Sequence, residues 1–211
     1  MSFASRADAG RKLAQLLRDD GVAADLVLGL PRGGVVVAAE LARVLRSPLD
    51  VLVVRKIGHP FNREFAIGAI AEADTVVLDE ESLRLYPAVQ AEVNEVISEE
   101  VRRLRSYEAQ FHFGGRPSLA GRAVLLVDDG IATGATTEAA VLSARKQAAR
   151  QVTVAAPVAS LDAVRRLERS ADEVKVILAD PDFGAVGQYY ADFSQTTDAE
   201  VLALLQAARG Q

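Results

Sequence analysis

One short stretch of the chain, residues 124–137, constrains the fold more than any other. It reads Val-Leu-Leu-Val-Asp-Asp-Gly-Ile-Ala-Thr-Gly-Ala-Thr-Thr, an apolar run followed by two acids and a loop rich in glycine and threonine. An uninterrupted apolar run of this kind is typical of a parallel strand that is buried on both faces. Polar residues after such a strand lie at the sheet edge where α/β proteins bind their ligands. The stretch therefore predicts an α/β fold with a polar ligand at the carboxyl end of this strand.

The two acids, Asp128 and Asp129, and the loop after them suit a phosphorylated sugar. Adjacent carboxylates at a buried strand end repel each other and lose hydration, so they usually have a polar ligand or a cation as partner. They can accept hydrogen bonds from vicinal sugar hydroxyls. Backbone N–H groups and hydroxyls at the start of the following helix suit a phosphate. A ribose 5-phosphate carries both kinds of group.

Other interpretations of this stretch fit less well. A P-loop requires Gly-Lys-Ser/Thr and a dinucleotide site requires Gly-x-Gly-x-x-Gly, and the stretch contains neither. The chain also lacks the Gly-x-Ser-x-Gly motif of a serine nucleophile. A purely structural role, in which the acids end a strand and Gly134 turns the chain, would leave the adjacent charges without a partner.

On these residues the chain resembles the type I phosphoribosyltransferases. Their signature is an apolar strand, an acidic pair and a Thr-Gly-x-Thr loop, which together hold phosphoribosyl pyrophosphate (PRPP). The resemblance implies that the acids contact the ribose hydroxyls and that the loop surrounds the 5-phosphate. Gly130 is a departure, because many members have an aliphatic residue there. The PRPP contacts implied by position are Asp128, Asp129, Ala132, Thr133, Gly134, Ala135, Thr136 and Thr137.

A second candidate phosphate loop, Pro-Arg-Gly-Gly at residues 31–34, follows the first predicted strand. Its glycines let the backbone approach a ligand, and its arginine can bind phosphate oxygens, although an ordinary strand-to-helix turn has the same composition. Two cations at the end of the next strand would stabilise a leaving pyrophosphate, the alternative being a basic pair that faces solvent. The resemblance implies a pyrophosphate loop at this place. The predicted pyrophosphate contacts are Arg32, Gly33, Gly34, Arg55 and Lys56.

Aromatic residues concentrate near the carboxyl terminus, within residues 181–194. In the resembled family a hood near the carboxyl terminus holds the base, often with an aromatic ring stacked on it. Phe183, Tyr189 and Tyr190 are therefore base-binding candidates. Anchoring of the tail against the core explains each of them equally well. Ala132 stands where enzymes for 6-oxopurines carry Asp, which leaves the base open and no side chain nominated as general base.

The rest of the chain alternates short apolar runs with amphipathic segments, which is typical of a mostly parallel sheet flanked by helices. We predict an α/β fold of the type I phosphoribosyltransferase kind, a single domain over residues 1–211. It would include a long inserted helix at about 80–113 and a small hood at about 180–195. Predicted strands cover residues 26–30, 49–55, 65–71, 75–79, 124–127, 152–157 and 173–178, the third and fourth forming a hairpin or an edge pair.

Helical periodicity locates the other elements. The inserted helix, at residues 80–110, carries one apolar stripe. This stripe of the inserted helix consists of Val89, Val93, Val96, Val101 and Leu104. The last helix has Thr197 or Asp198 as its predicted cap. The remaining helices are predicted at residues 5–19, 35–45, 138–149, 161–169 and 198–209.

Composition and charge narrow the function further. A net charge of −5 argues against a nucleic-acid surface, and the lack of cysteine excludes disulfides and thiolate metal sites. No apolar run reaches the length of a membrane span and no signal-peptide pattern opens the chain, so we expect a soluble cytoplasmic protein with no membrane partner. His59 and His112 lack the spacing of a metal site, and we predict surface or loop positions for both.

The resemblance implies a phosphoribosyltransferase that transfers the 5-phosphoribosyl group of PRPP to a nitrogenous base and releases pyrophosphate. Asp128, Asp129 and Lys56 are the candidate catalytic residues, and Mg²⁺ would arrive bound to PRPP. One alternative is a non-catalytic regulatory module that binds PRPP or a nucleotide, and a hydrolase acting on a nucleoside or sugar phosphate is another. Homodimers are common in the family, and the inserted helix offers a surface for one, although packing within the chain also explains its stripe.

The resemblance extends along nearly the whole chain to a group of bacterial phosphoribosyltransferase-like proteins. The shared motifs lie at residues 8–14, 55–58, 64–69 and 192–195. The phosphosugar site defines this group more clearly than its base does, so the acceptor stays open.

Overall fold

The computed structural model describes residues 2–85 and 90–210. The strands of this part of the chain are β1 (Leu26–Gly29), β2 (Leu49–Val51), β3 (Val54–His59), β4 (Asn62–Ala71), β5 (Thr75–Leu78), β6 (Ala123–Val127), β7 (Gln151–Ser160) and β8 (Glu173–Asp180). Its α-helices are α1 (Arg6–Asp19), α2 (Gly33–Leu45), α3 (Glu80–Leu85), α4 (Gln90–Phe111), α5 (Ala135–Lys146), α6 (Leu161–Leu167) and α7 (Asp198–Arg209), and a 3₁₀ helix covers Val186–Tyr189. None of the described helices combines the length and apolar character that a membrane span requires.

The main sheet has five strands in the order β2-β1-β6-β7-β8, and every neighbouring pair in it is parallel. This confirms the predicted mostly parallel sheet flanked by helices. The strand order changes direction between β1 and β6, because the chain moves outward from β1 to β2 and in the opposite direction from β6 to β8. Such a switch point opens a crevice at the carboxyl ends of the two strands, which is where ligands of open α/β sheets bind.

Both faces of the central strands are buried, as their apolar sequences predict. Along β6, Leu125 and Val127 pack into one apolar cluster with α1, α2 and α7, while Val124 and Leu126 pack into another with α5 and α6. Successive side chains of a strand point to opposite faces, so this alternation divides the strand between two helical layers. The carboxyl end of β6 is therefore held rigidly from both sides.

The predicted strand at residues 49–55 is wrong in one respect, because the chain forms two strands there. β2 ends in the main sheet, and the chain then leaves to form an antiparallel sheet of β3, β4 and β5. At the break, the Val53 N–H donates to Glu72 Oε1 at 2.6 Å, and the Glu72 N–H donates to the Val53 carbonyl at 3.2 Å. The apolar run continues through the break, so periodicity alone could not reveal it. The predicted hairpin is correct, since β4 pairs with β5 in antiparallel register.

The inserted segment, predicted as one helix at residues 80–110, contains the helices α3 and α4. Residues 86–89, between these two helices, lie outside the described part of the chain. Val93, Val96 and Leu104 are buried in the same apolar cluster as α1 and α2, and Val101 packs against it. Val89, the first residue of the predicted stripe, lies outside the described residues. The stripe thus packs within the chain.

The last helix begins as predicted. Thr197 accepts a hydrogen bond from the Glu200 N–H, and the Glu200 carboxylate accepts one from the Thr197 N–H, which forms a capping box. By contrast, α5 begins three residues before its predicted start at 138, directly after Gly134 with φ of 77°. The predicted phosphate loop therefore includes the first turn of α5.

His59 is buried at the end of β3, so the predicted surface or loop position is wrong for it, whereas His112 is half-buried in the turn that follows α4, in agreement with the predicted loop position. His59 is 7% exposed, and the His112 side chain is 8% exposed. His112 follows α4 and lies between two carboxylates: its Nε2 is 2.9 Å from Glu72 Oε1, and its Nδ1 is 3.3 Å from Asp50 Oδ1, at an angle unsuited to a hydrogen bond. Arg116 also pairs with Glu72 at 2.7 Å. These contacts join the antiparallel sheet to the main sheet.

The charge of His112 should make the protein less stable in alkaline solution. Burial alone would lower the pKa of His112, but Asp50 and Glu72 outweigh it and raise this pKa to about 9. The stabilisation that protonated His112 provides is complete below the unfolded pKa of about 6.5, because the folded state binds the proton more tightly. This stabilisation is lost as pH rises through about 9. Between pH 6 and pH 9.5 the free energy of unfolding should fall by about 3 kcal/mol more in the unaltered protein than in His112→Gln.

Urea unfolding at the two pH values measures this difference. The control is Gln206→Ala, an exposed side chain of α7 without a titratable group, which leaves the Asp50–His112–Glu72 contacts intact and should keep the pH dependence of the unaltered protein. Equal pH dependence in the unaltered protein and His112→Gln would contradict the assignment.

Candidate active site

The acidic pair lies at the switch point of the main sheet. Asp128 and Asp129 follow β6 directly, beside the turn at residues 31–34 that follows β1. The Leu30 N–H donates to the Val127 carbonyl at 2.8 Å, so the two strands remain paired up to the point where both loops begin. The structure thus brings together two motifs that are nearly a hundred residues apart in sequence.

The two carboxylates affect each other strongly. The Asp129 N–H donates to Asp128 Oδ1 at 2.9 Å, which turns this oxygen back toward the backbone. Burial raises the pKa of Asp128 well above its ordinary value, and the adjacent charge of Asp129 raises it further. Hydroxyl donors or a cation at this place would compensate the lost hydration.

The two glycines of the 31–34 turn are in close contact with the acids. A Cβ atom on Gly33 would lie 2.0 Å from Asp129 Oδ2, and one on Gly34 would lie 2.6 Å from the Val127 carbonyl oxygen. Only glycine permits this approach without displacing its neighbours. The turn's backbone and the carboxylates therefore form one continuous surface.

The predicted 5-phosphate loop continues from the acids into α5. Ile131 is anchored to β7, since its N–H donates to the Val158 carbonyl and its carbonyl accepts from the Ser160 N–H, each at 2.9 Å. Ala132 and Thr133 are exposed beyond this anchor, and Ala135 and Thr136 are half-buried in the first turn of α5. Unpaired N–H groups at a helix start attract anions. Gly134 and Thr137 are buried, and Thr137 is only 2% exposed, so its side chain is turned into the protein.

The candidate cations have different surroundings. Lys56 is exposed on β3, and its positive charge favours the charged form of Asp128, against the larger effect of burial, which raises the pKa of that carboxyl. Arg55 is engaged with α4: its Nε donates to Glu100 Oε2 at 2.6 Å, and its guanidinium lies 5.3 Å from the centre of the Tyr107 ring. Adjacent strand residues project to opposite faces, which separates the two cations.

Arg32 and the two candidate tyrosines each contact other parts of the protein. Arg32 lies 3.7 Å from an oxygen of Asp198 at the start of α7. Tyr189 and Tyr190 are each 7% exposed, within an apolar cluster that includes Phe3. The Tyr189 hydroxyl donates to Asp180 Oδ2 at 2.7 Å.

The three aromatic candidates therefore differ in what they can contact. The Tyr190 hydroxyl donates to the Asp129 carbonyl, and burial followed by the charge of Asp129 raises the pKa of this hydroxyl. Phe183 stacks on Tyr189 with ring centres 5.2 Å apart. Half-buried Phe183 also lines an open cleft of about 660 Å³ together with Ala132 and Thr133. Of the three, Phe183 has the exposed face that a planar ring would need.

Sequence reasoning missed Arg6, which lies at the start of α1. Its Nε donates to Asp129 Oδ2 at 2.6 Å across 123 positions of sequence. The local sequence contains no signal for this contact, because an arginine at the start of an amphipathic helix is ordinary. Only the fold brings α1 to the acidic pair.

The arrangement offers a row of acceptors and donors along one sheet edge. The carboxylates of Asp128 and Asp129 are hydrogen-bond acceptors, the start of α5 presents backbone N–H groups, and the glycines of the 31–34 turn lie against the acids. The fold, a parallel sheet flanked by helices with two acids at its switch point, is of the kind found in the type I phosphoribosyltransferases.

Comparison with known proteins identifies the family. The family model described as the phosphoribosyl transferase domain matches residues 4–194. The chain belongs to this family.

Named relatives and solved structures agree with the assignment. Proteins of two Mycobacterium tuberculosis strains, each named "Putative phosphoribosyl transferase", are 46% identical over 207 residues, which is 98% of this chain and 47% of theirs. The chain thus spans about half the length of these curated relatives. The crystal structure of TT1426 from Thermus thermophilus is 45% identical with a TM-score of 0.82, covering 98% of this chain and 99% of that one. The AQ2163 protein of Aquifex aeolicus shares the fold at a TM-score of 0.50 and 14% identity, over 83% of this chain and 74% of that one.

Proposed function

We propose that the protein transfers the 5-phosphoribosyl group of PRPP to a nitrogenous base with release of pyrophosphate. The observation that carries the proposal is the meeting of the acidic pair, the start of α5 and the 31–34 turn at one switch point. PRPP has a ribose diol, a 5-phosphate and a pyrophosphate in the order that these groups would require. Membership in the phosphoribosyl transferase family supports the proposal.

The reaction breaks the bond between C1 of the ribose and the pyrophosphate oxygen and forms a bond from C1 to a base nitrogen, which then loses its proton. Positive charge develops on the ribose ring as pyrophosphate departs. Asp128 and Asp129 would orient the ribose and stabilise that charge, and Lys56 and the N–H groups of the 31–34 turn would stabilise the leaving group. Arg32 would reach the pyrophosphate by leaving its weak contact with Asp198.

Mg²⁺ fits this site as a companion of PRPP. The protein groups closest to the expected ribose are the carboxylates of Asp128 and Asp129, which are oxygen ligands of the kind that Mg²⁺ prefers. The ion would neutralise pyrophosphate charge, while most of its ligands would come from PRPP and water.

The candidate residues outside this core have smaller roles in the proposal. Phe183 is the preferred base contact, because its ring borders the cleft next to the 5-phosphate loop. Tyr189 and Tyr190 would support it from within the buried cluster. Arg55 would act on the pyrophosphate only by breaking its ion pair with Glu100, so its role in the proposal is to hold α4 against β3.

Calorimetric titration with PRPP, with and without Mg²⁺, tests the proposal, with ribose 5-phosphate as the comparison ligand. We expect Mg²⁺-dependent binding of PRPP that is tighter than binding of ribose 5-phosphate. Pyrophosphate release in the presence of a panel of purine and pyrimidine bases then identifies the acceptor. Tight PRPP binding without turnover on any base would favour a regulatory module, and failure to bind PRPP would refute the proposed function.

A further inference from the structure

The Arg6 side chain is held at the acidic pair by contacts to three parts of the protein. Its Nε donates to Asp129 Oδ2 at 2.6 Å, and its Nη1 donates to the Ser194 carbonyl at 2.7 Å. The guanidinium carbon lies 4.0 Å from the centre of the Phe193 ring, a cation–π contact. Arg6 therefore joins the start of α1, the end of β6 and the carboxyl-terminal segment.

Solvent has little access to this ion pair. The side chains of Arg6 and Asp129 are 12% and 14% exposed. A charge pair removed from water is costly to break by deleting one partner, because the other charge is then left without compensation. In the other ion pairs of α1, at least one of the two side chains is exposed to solvent. The Arg6 pair is distinct on this helix because neither of its side chains is exposed.

The backbone around Arg6 strengthens the same connection. The Phe3 N–H donates to the Tyr189 carbonyl at 2.7 Å, and the Ala191 N–H donates to the Phe3 carbonyl at 2.8 Å. The Tyr190 hydroxyl donates to the Asp129 carbonyl, so Asp129 is held by its backbone as well as by its carboxylate. The acid is thus fixed from two directions by the two chain ends.

We infer that Arg6 is a positioning residue of the ribose site, which holds Asp129 in the orientation that accepts a ribose hydroxyl. The ion pair uses Oδ2 of Asp129 and leaves Oδ1 outside the pair. The guanidinium that bonds Asp129 is itself fixed by the Ser194 carbonyl and the Phe193 ring, which limits the rotation of the carboxylate, and small errors in the placement of such a group greatly weaken binding and catalysis. This inference rests on the proposed function, because it requires PRPP as the ligand.

Arg6 acts only through Asp129, so its removal should affect ribose-containing ligands selectively. The 31–34 turn and Lys56 would bind pyrophosphate without help from Asp129. A purely structural role, in which Arg6 only attaches α1 to the carboxyl-terminal segment, predicts instead that all ligands are affected together or that none is.

The experiment compares Arg6→Gln, Arg6→Lys and the control Arg11→Gln by calorimetry with PRPP, ribose 5-phosphate and pyrophosphate, each with Mg²⁺. Arg11 lies on the same helix with its side chain 53% exposed, in ion pairs of 3.6 and 4.0 Å. We expect Arg6→Gln to weaken binding of PRPP and ribose 5-phosphate by about tenfold or more, since a charge-assisted hydrogen bond to the ribose acceptor is lost. Pyrophosphate affinity should stay within about twofold, Arg6→Lys should restore part of the loss, and Arg11→Gln should match the unaltered protein.

Each outcome decides the inference. PRPP affinity in Arg6→Gln within about twofold of the unaltered protein would overturn it, and so would an equal loss of pyrophosphate and PRPP binding. If Arg6→Gln does not fold, Arg6→Lys carries the same test, because a lysine keeps the charge but lacks the planar guanidinium that bonds Asp129 and the Ser194 carbonyl at the same time. Failure of the unaltered protein to bind PRPP would overturn the proposed function and this inference together, which separates that result from the others.

Discussion

Replacing both acids, as Asp128→Asn with Asp129→Asn, should abolish phosphoribosyl transfer while the protein remains folded. The change keeps the size of both side chains but removes the negative charges that would hold the ribose and stabilise its developing cation. We expect turnover to fall by at least about 10³-fold, the scale of effect found when preorganised electrostatic groups are deleted. Pyrophosphate release with PRPP and the accepted base measures the loss.

The single variants should separate stability from function. Burial and the charge of Asp129 raise the pKa of Asp128, so the charged form of Asp128 is disfavoured by the fold, and Asp128→Asn should keep or increase the melting temperature. Asp129→Asn should decrease the melting temperature, because the half-buried Arg6 loses its partner.

A carboxylate far from the site provides the control. Glu173→Gln, at the start of β8 with its side chain 44% exposed, should leave both turnover and stability unchanged. Measurable turnover by the double variant, at a rate close to that of the unaltered protein, would refute the role assigned to the acidic pair.

Adding one methyl group to the 31–34 turn should be nearly as damaging. In Gly33→Ala the new Cβ would lie 2.0 Å from Asp129 Oδ2 and 2.6 Å from Arg6 Nε, so the carboxylate and the guanidinium must move apart or aside. A displacement of about 1 Å in a positioned group can cost about 100-fold in activity, and we expect a loss of this size in PRPP affinity or turnover. The melting temperature should fall no further than in Asp129→Asn, because the same ion pair is disturbed and the atoms that must move are side-chain ends.

Gly34→Ala should reduce the stability of the fold more than it reduces PRPP affinity. Its Cβ would lie 2.6 Å from the carbonyl oxygen of Val127 and 3.0 Å from the Cα of Asp128, which are backbone atoms held in the sheet. We expect a loss of about 1–3 kcal/mol in the free energy of unfolding, the usual scale for overpacking.

Gly210→Ala is the matched control for both glycine variants, because its nearest atoms would be 3.8 Å away. It should change neither PRPP affinity nor stability. Unchanged PRPP binding in Gly33→Ala would show that the turn and the acids do not form one ligand surface.

Local sequence was sufficient to predict the main sheet, the capping of α7 and the place of the acidic pair. An apolar run predicts the buried strand β6, and Thr197 with Glu200 caps α7 within four residues. Each signal therefore lies inside the segment that it describes. The loop motif likewise predicted the phosphoribosyltransferase family, which the comparisons confirm, while its phosphosugar ligand stays a prediction. These properties follow from periodicity and from short-range hydrogen bonding, which depend little on distant parts of the chain.

Only the tertiary structure decided which side chains meet at the site. It brought Arg6 to Asp129 across 123 positions, paired Arg55 with Glu100, and placed the His112 side chain between Asp50 and Glu72. It also ended β2 where the apolar run continues into β3. The sequence by itself determined most of the elements and the family, because those depend on local pattern. The partners of each charge depend on how separate elements pack, and packing is a property of the whole chain.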